Sequence, residues 1–139
     1  MARRVTLKLH TDEGIIGLGE ASTLLPNRTG ETADVIAVVL KNHLCPLLIG
    51  EDPLQIQNIE AKLRTASMEK FNTFFYSKAA IDIALRDIAG KAYGVLVAYH
   101  LAGIVRKSFG VSRSAVRVCG LRVGLRRKRG IGVAGLGSF

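Results

Sequence analysis

The sequence predicts an α+β domain within residues 1–95, in which an antiparallel β-hairpin is followed by three helices. Val5, Leu7 and Leu9 alternate with polar residues, which is the pattern of a half-buried strand. A Thr-Asp-Glu-Gly turn follows, and the chain returns over residues 15–20 as a second strand. Two strands alone are only marginally stable in water, so the hairpin needs a third strand or a helix packed against it. Strands followed by a run of helices are typical of an α+β domain.

The first helix is predicted over about residues 32–44, because apolar residues recur there at helical spacing and Pro46 breaks the element. The second begins at Asp52-Pro53, with Asp as N-cap and Pro in the first turn, and runs to about Thr65. The residues of the buried stripe of the first helix are Val35, Ile36, Val39 and Leu40.

The third helix is predicted over about residues 77–92. Asp82 and Arg86 are four residues apart and can form an ion pair along its surface. The buried stripe of this helix is formed by small and branched residues, Ala80, Ile83, Ala84 and Ile88.

The charge of the chain is divided unevenly near residue 88. Residues 1–87 carry 10 Lys/Arg and all 11 Asp/Glu, whereas residues 88–139 carry 10 Lys/Arg and no acid. The formal net charge of +9 is therefore a property of the C-terminal part. Its arginine-rich run can attract a polyanion, but it lacks interleaved aromatic residues and a reading helix, so we predict no specific nucleic-acid partner.

Composition restricts the remaining classes of function. Cys45 and Cys119 are too far apart for a zinc knuckle, and they do not form a disulfide framework. The longest apolar run, over residues 95–105, is far shorter than a membrane span requires. The first 14 residues lack an apolar signal segment. We therefore expect a cytoplasmic protein with no membrane partner.

Four segments together carry a resemblance to a known family. They are VTLKLHTDEGIIGLGEAS, GETADVIAVVL, LIGEDPLQIQNIE and SKAAIDIALRDIAGKAYGV, in that order. In sequence and spacing they resemble the N-terminal capping domain of the enolase superfamily, in its mandelate racemase and muconate lactonizing enzyme branch. The resemblance covers about residues 4–95. It implies that the hairpin is the remnant of a three-stranded meander whose first strand this chain lacks.

The resemblance also implies an activity for a full-length member. Such an enzyme adds a TIM barrel that holds Mg²⁺ and abstracts a proton α to the carboxylate of a small substrate, in racemase, cycloisomerase or dehydratase reactions. This chain has no recognisable barrel, so we expect no catalytic residue, metal ligand or cofactor within it. Whether the chain is itself an enzyme stays open, and the fragment is expected to be inactive alone.

The loop after the second strand is the one functional segment that the resemblance places in this chain. In the family this loop closes over the barrel and contacts substrate. An ordinary solvated surface loop is the alternative reading of the same residues. The candidate substrate-loop residues are Leu24, Leu25, Asn27 and Arg28.

The C-terminal part is predicted to contain two further regions. Residues 96–114 are a degenerate linker that faintly resembles the start of the barrel, and residues 115–139 are a basic Gly/Arg-rich tail, expected to be disordered. Our hypothesis is that a frameshift in a truncated gene produced this tail. Sequencing the downstream DNA tests it, because a continuous frame without a barrel would exclude it.

The alternative to an enzyme fragment is a non-catalytic interaction module that forms homo-oligomers through the exposed cap surface.

Overall fold

The computed structural model describes residues 3–23, 30–66, 74–101, 103 and 117–125. Two antiparallel strands, β1 (Arg3–Thr11) and β2 (Ile16–Ser22), open the fold. Helices α1 (Ala33–Val39), α2 (Ile56–Ala66) and α3 (Phe75–Tyr93) follow, with a short helix α4 (Val97–His100) after them. A third strand, β3 (Arg117–Leu125), completes the described elements. The predicted α+β class is confirmed.

The hairpin forms as the alternating pattern predicts. Val5, Leu7 and Leu9 of β1 are fully buried, while the residues between them are partly exposed. The strands pair with Leu7 opposite Gly19, and Gly14 takes a positive φ of 78° in the connecting turn. The helices pack against the apolar face of the hairpin, and this packing stabilises the two strands.

The third strand corrects the prediction of a disordered tail over residues 117–125. β3 pairs with β1 in parallel, and the sheet order is β2-β1-β3. Apolar residue types recur at every second position of β3, and the register aligns Cys119, Leu121 and Val123 with the core positions of β1. Because composition drew attention to charge and glycine, this period-2 pattern was missed.

The first helical region is more irregular than predicted. Thr32 is the N-cap of α1, and its side-chain oxygen accepts a hydrogen bond from the Val35 amide at 3.3 Å. The chain continues as a π-helical turn over Leu40–Leu44 and a 3₁₀ turn over Cys45–Leu48. The predicted stripe is correct for Ile36, Val39 and Leu40 but wrong for Val35, which is 38% exposed.

The second and third helices occur where they were predicted, with different boundaries. The Asp52 side chain accepts a hydrogen bond from the Leu54 amide, which forms a turn before α2 begins at Ile56. Helix α3 is longer than expected and ends at Gly94, which has a positive φ of 67°. Ala80, Ala84 and Ile88 are buried as predicted. Ile83 is half exposed, because its position on α3 faces away from the sheet.

Two glycines let β2 lie directly against α3. A Cβ atom added at Gly17 would be 2.6 Å from Cγ1 of Ile88, and one added at Gly19 would meet the backbone of Ala80. Real Cβ atoms do not approach other heavy atoms so closely. The small residues at Ala80 and Ala84 complete this close contact between strand and helix.

The Cys45 thiol is expected to be unreactive in the folded protein. Its side chain is buried in the core, and burial raises the pKa of the thiol from 9.0 to about 12. In a Cys119→Ser variant, a thiol reagent at neutral pH should modify Cys45 only after urea unfolds the chain. Rapid modification of the native protein would contradict this burial.

The same shift predicts a loss of stability at alkaline pH. The unfolded thiol loses its proton near its ordinary pKa of 9.0, whereas the folded thiol keeps its proton up to about 12. The free energy of unfolding should therefore fall as pH rises through this interval, by up to about 1.4 kcal/mol per pH unit. Urea titrations of wild type and Cys45→Ala across this range measure the difference.

Candidate functional site

The candidate site is the loop between β2 and α1, whose two ends the structure describes. The candidate residues Leu24, Leu25, Asn27 and Arg28 lie outside the described residues, so their role stays a prediction. At the first end, β2 finishes at Ser22 and is followed by the buried Thr23. At the second end, Gly30 has a positive φ of 70° and leads directly into Glu31.

Glu31 fastens the second end of this loop to the start of α3. Glu31 is 3% exposed, and its carboxylate accepts hydrogen bonds from the Tyr76 amide at 2.9 Å and the Ser77 amide at 3.1 Å. The Ser77 hydroxyl donates a third bond at 2.8 Å. Phe74, the N-cap position of α3, makes no side-chain capping bond. Glu31 therefore satisfies the two amides that a local N-cap side chain would bind.

This arrangement restricts what the α3 N-terminus can do. A helix N-terminus attracts anions because its amides are unpaired and its dipole is positive. Here the Glu31 carboxylate already fills that position, so the terminus acts as an anchor for the loop. Sequence reasoning missed Glu31, because its partners are 45 and 46 residues away along the chain.

Three other carboxylates bind groups within the described chain. Asp82 accepts two hydrogen bonds from Nε of Arg86, at 2.9 and 3.1 Å, which confirms the predicted i,i+4 pair. Asp87 accepts a bond from the Leu18 amide at 2.8 Å. Glu20 forms an ion pair with Arg4 at 3.3 Å.

Glu60 joins the Asp82–Arg86 pair from α2. An Arg86 Nη2 atom lies 3.4 Å from the Glu60 carboxylate. Burial, and then the neighbouring Asp82, raises the pKa of Glu60, while the hydrogen bond to Asp82 raises the pKa of Arg86. The group borders a cleft of about 310 Å³ between α2 and α3. The apolar residues of the cleft are Leu63, Phe75, Ala79, Ile81 and Leu85.

The described residues do not form a metal centre. Within ranges 3–23, 30–66, 74–101, 103 and 117–125, no three His, Cys, Asp or Glu side chains are grouped closely enough to hold an ion. In the same ranges, no helix has the length and apolar character of a membrane span.

An antiparallel hairpin packed on a run of helices, with Glu31 held at the start of α3, defines an α+β domain. The family model for the mandelate racemase / muconate lactonizing enzyme N-terminal domain matches residues 1–103. The chain therefore belongs to the mandelate racemase/muconate lactonizing enzyme family, which confirms the resemblance drawn from its sequence.

Curated relatives include enzymes of more than one reaction type. The chain is 34% identical over 103 residues to chloromuconate cycloisomerase from Cupriavidus necator, covering 73% of this chain and 27% of the relative. It is 42% identical over 105 residues to D-galactonate dehydratase from Pectobacterium atrosepticum, covering 75% and 26%. The chain thus spans about a quarter of the length of these relatives.

Solved structures agree with the family assignment. N-succinyl Arg/Lys racemase from Bacillus cereus matches with a TM-score of 0.52 and 40% identity, over 62% of this chain and 22% of that chain. A putative mandelate racemase/muconate lactonizing enzyme from Roseovarius nubinhibens, complexed with magnesium, matches with a TM-score of 0.61 and 28% identity. That match covers 70% of this chain and 26% of the solved chain.

Proposed function

We propose that this chain is the capping domain of an enzyme that abstracts a proton α to the carboxylate of a small substrate. The observation that carries the proposal is the family match over residues 1–103, together with the fastened loop beyond β2. In the proposal the reaction is a racemisation, a cycloisomerisation or a dehydration, as the names of the relatives suggest. The capping domain alone is inactive.

The proposed role of the loop is to close over the substrate and help to select it. Of the candidate residues, Arg28 is the one whose guanidinium can pair with a carboxylate, and Asn27 can donate or accept hydrogen bonds. Leu24 and Leu25 would exclude water from the closed site. Glu31 would act as a positioning residue, because it fixes the end of the loop without contacting substrate.

Magnesium belongs, in this proposal, to the parts of a full-length enzyme beyond the described residues. Mg²⁺ requires carboxylate and water oxygens in near-octahedral geometry. The carboxylates of Glu31, Asp82 and Asp87 are each engaged with backbone or cationic groups of this chain. The described residues therefore do not fit a magnesium site, and no step of the reaction is assigned to them through the metal.

A chimera tests the proposed role. In the D-galactonate dehydratase of Pectobacterium atrosepticum, the segment aligned with this chain is replaced by residues 1–103 of this chain. The chimera is expected to retain dehydratase activity, because the cap would dock on the remaining part of that enzyme. The isolated chain is expected to have none, and its turnover of any carboxylate with an α proton would contradict the proposal.

The loop itself is tested by substitution within the active chimera. Arg28→Ala is expected to lower kcat/KM by about tenfold, which corresponds to one charge-assisted hydrogen bond to the substrate. Lys41→Ala, at an exposed position of the π-helical turn, is the matched control and should leave kcat/KM unchanged. Equal effects of the two substitutions would show that the loop is an ordinary surface loop.

The alternative function is a non-catalytic module that associates through its exposed surface. An apolar groove on the outer side of α3 and α4 favours it, with Leu18 47%, Ile83 48% and Leu101 57% exposed. We name this surface the outer groove. A homo-oligomer that Leu101→Lys disrupts would support the alternative, whereas a strictly monomeric chain would exclude self-association there.

A further inference from the structure

The cleft between α2 and α3 has the size and lining of a small-molecule site. Its volume is about 310 Å³, at the lower end of the range of about 300–1,000 Å³ for ligand pockets. The floor is apolar, because Ile81 and Leu85 are fully buried and Leu63 is 3% exposed. Phe75 also lines the cleft and is 49% exposed, so its ring is available to a ligand. This space suits a ligand of one ring with a short chain.

Charged residues line this cleft in two groups that are about one helical turn apart. Arg64 lies near the C-terminus of α2, and Lys78 lies near the N-terminus of α3. Glu60 precedes Arg64 by four residues, and Asp82 follows Lys78 by four residues. The cleft therefore has a cationic end, near the termini of the two helices, and an acidic end one turn away.

The acidic end already has a cation of its own. Arg86 Nε donates a hydrogen bond to Asp82 at 2.9 Å, and Arg86 Nη2 lies 3.4 Å from the Glu60 carboxylate. With Arg86 included, three cations and two carboxylates meet at the cleft, and their formal charges sum to +1. The excess positive charge belongs to the cationic end.

The charges of this cationic end act within the cleft. Lys78 Nζ lies 5.6 Å from the centre of the Phe75 ring, which places its charge beside the apolar lining. Burial is the main cause that raises the pKa of Glu60, and the charge of Arg64 opposes this shift. An anion at the cationic end is therefore within reach of two positive charges and an apolar surface.

The outer groove has no such excess of charge. Its charged residues form two ion pairs, Asp82 with Arg86 and Asp87 with Lys91. Because their formal charges sum to zero, the outer groove gives an anion no net electrostatic advantage. A preference for anions therefore distinguishes the cleft between α2 and α3 from the outer groove.

We propose that the cleft between α2 and α3 binds a small amphipathic anion, which has an aromatic or alkyl body and one carboxylate. The body lies on Phe75 and Leu63. The carboxylate pairs with Arg64 and Lys78, whose side chains can donate charge-assisted hydrogen bonds to it. The proposal does not depend on the proposed catalytic role, because each of these residues lies on α2 or α3.

Three probes with the same phenylalkyl body test the charge preference. Phenylbutyrate has an anionic head group, phenylbutanol a neutral one and phenylbutylamine a cationic one. NMR titration of the full-length chain measures binding from the shifts of backbone amides. Phenylbutyrate is expected to give saturable shifts in α2 and α3 and to bind about tenfold more tightly than phenylbutanol, since it gains two partly exposed ion pairs. Phenylbutylamine is expected to bind most weakly of the three.

Neutral variants of the two cations identify the site. Arg64→Gln and Lys78→Gln should each weaken phenylbutyrate binding by about threefold and leave phenylbutanol binding unchanged. Phe75→Ala should weaken the binding of both probes alike, because it removes apolar surface that both contact. Lys41→Gln removes the same charge from an exposed position of the π-helical turn and should change neither. Circular dichroism verifies that each variant is folded.

The proposal is overturned if phenylbutyrate and phenylbutanol bind equally well, because the cleft would then have no charge preference. It is also overturned if saturable shifts are absent at millimolar phenylbutyrate, or if they occur at the outer groove around Leu18 and Leu101 instead. If Lys78→Gln does not fold, Arg64→Gln decides alone. An equal loss of affinity for phenylbutyrate and phenylbutanol in that variant would contradict the assigned position of the carboxylate.

Discussion

Replacing Gly19 by alanine is expected to lower the free energy of unfolding by about 3 kcal/mol or more. The added Cβ would meet the Ala80 carbonyl group and would lie 3.1 Å from Cβ of Ala84. The obstruction is helix backbone, which cannot rotate away as a flexible side chain can. To make room, α3 must move off β2, which would open the core contact at Leu85 and Ile88.

Urea denaturation followed by circular dichroism measures this effect, with Gly14→Ala as the matched control. Gly14 has a positive φ of 78°, and a Cβ added there has no neighbour within 4 Å. The control should therefore cost only the backbone penalty, about 1–2 kcal/mol. If the two variants lose equal stability, the close contact between β2 and α3 is not what makes glycine necessary at position 19.

The order of strands and helices followed from the sequence because each element has its own periodicity. Val5, Leu7 and Leu9 have period 2, and Ala80, Ala84 and Ile88 have helical spacing, so local patterns alone located the hairpin and the long helix. Ile83 has helical spacing as well, but periodicity does not say which neighbours a helix has. Its exposure depends on the sheet lying on one side of α3.

Features that join distant parts of the chain were not predicted. Gly17 and Gly19 alternate along β2, and such a pair can indicate a close backbone approach, but only the fold shows that the approaching helix is α3. The strand β3 was not predicted for another reason. In Arg117–Leu125 the charged residues and glycines outweigh a weak apolar alternation, and that alternation indicates a strand only once β1 is known to lie beside it.

Glu31→Ala is expected to lower the free energy of unfolding by about 3 kcal/mol. The substitution removes the charged acceptor of three hydrogen bonds from Tyr76 and Ser77, and it leaves two helix amides without their partner in a buried place. Hydrogen bonds to charged groups contribute about 1.5–3 kcal/mol each, but their sum is not additive. Glu31→Gln keeps one acceptor oxygen and should lose about 2 kcal/mol.

Controls separate the capping role of Glu31 from a general effect of removing a carboxylate. Glu20→Ala removes a surface carboxylate paired with Arg4 and should cost less than about 1 kcal/mol. Ser77→Ala removes one of the three hydrogen bonds, at a cost of about 1–2 kcal/mol. In the double variant with Glu31→Ala, the Ser77 substitution should cost much less, because its partner is already absent. Full additivity of the two losses in unfolding free energy would mean that the Ser77 hydroxyl does not stabilise the protein through Glu31. The contact between Glu31 and α3 would then depend on the two amides alone.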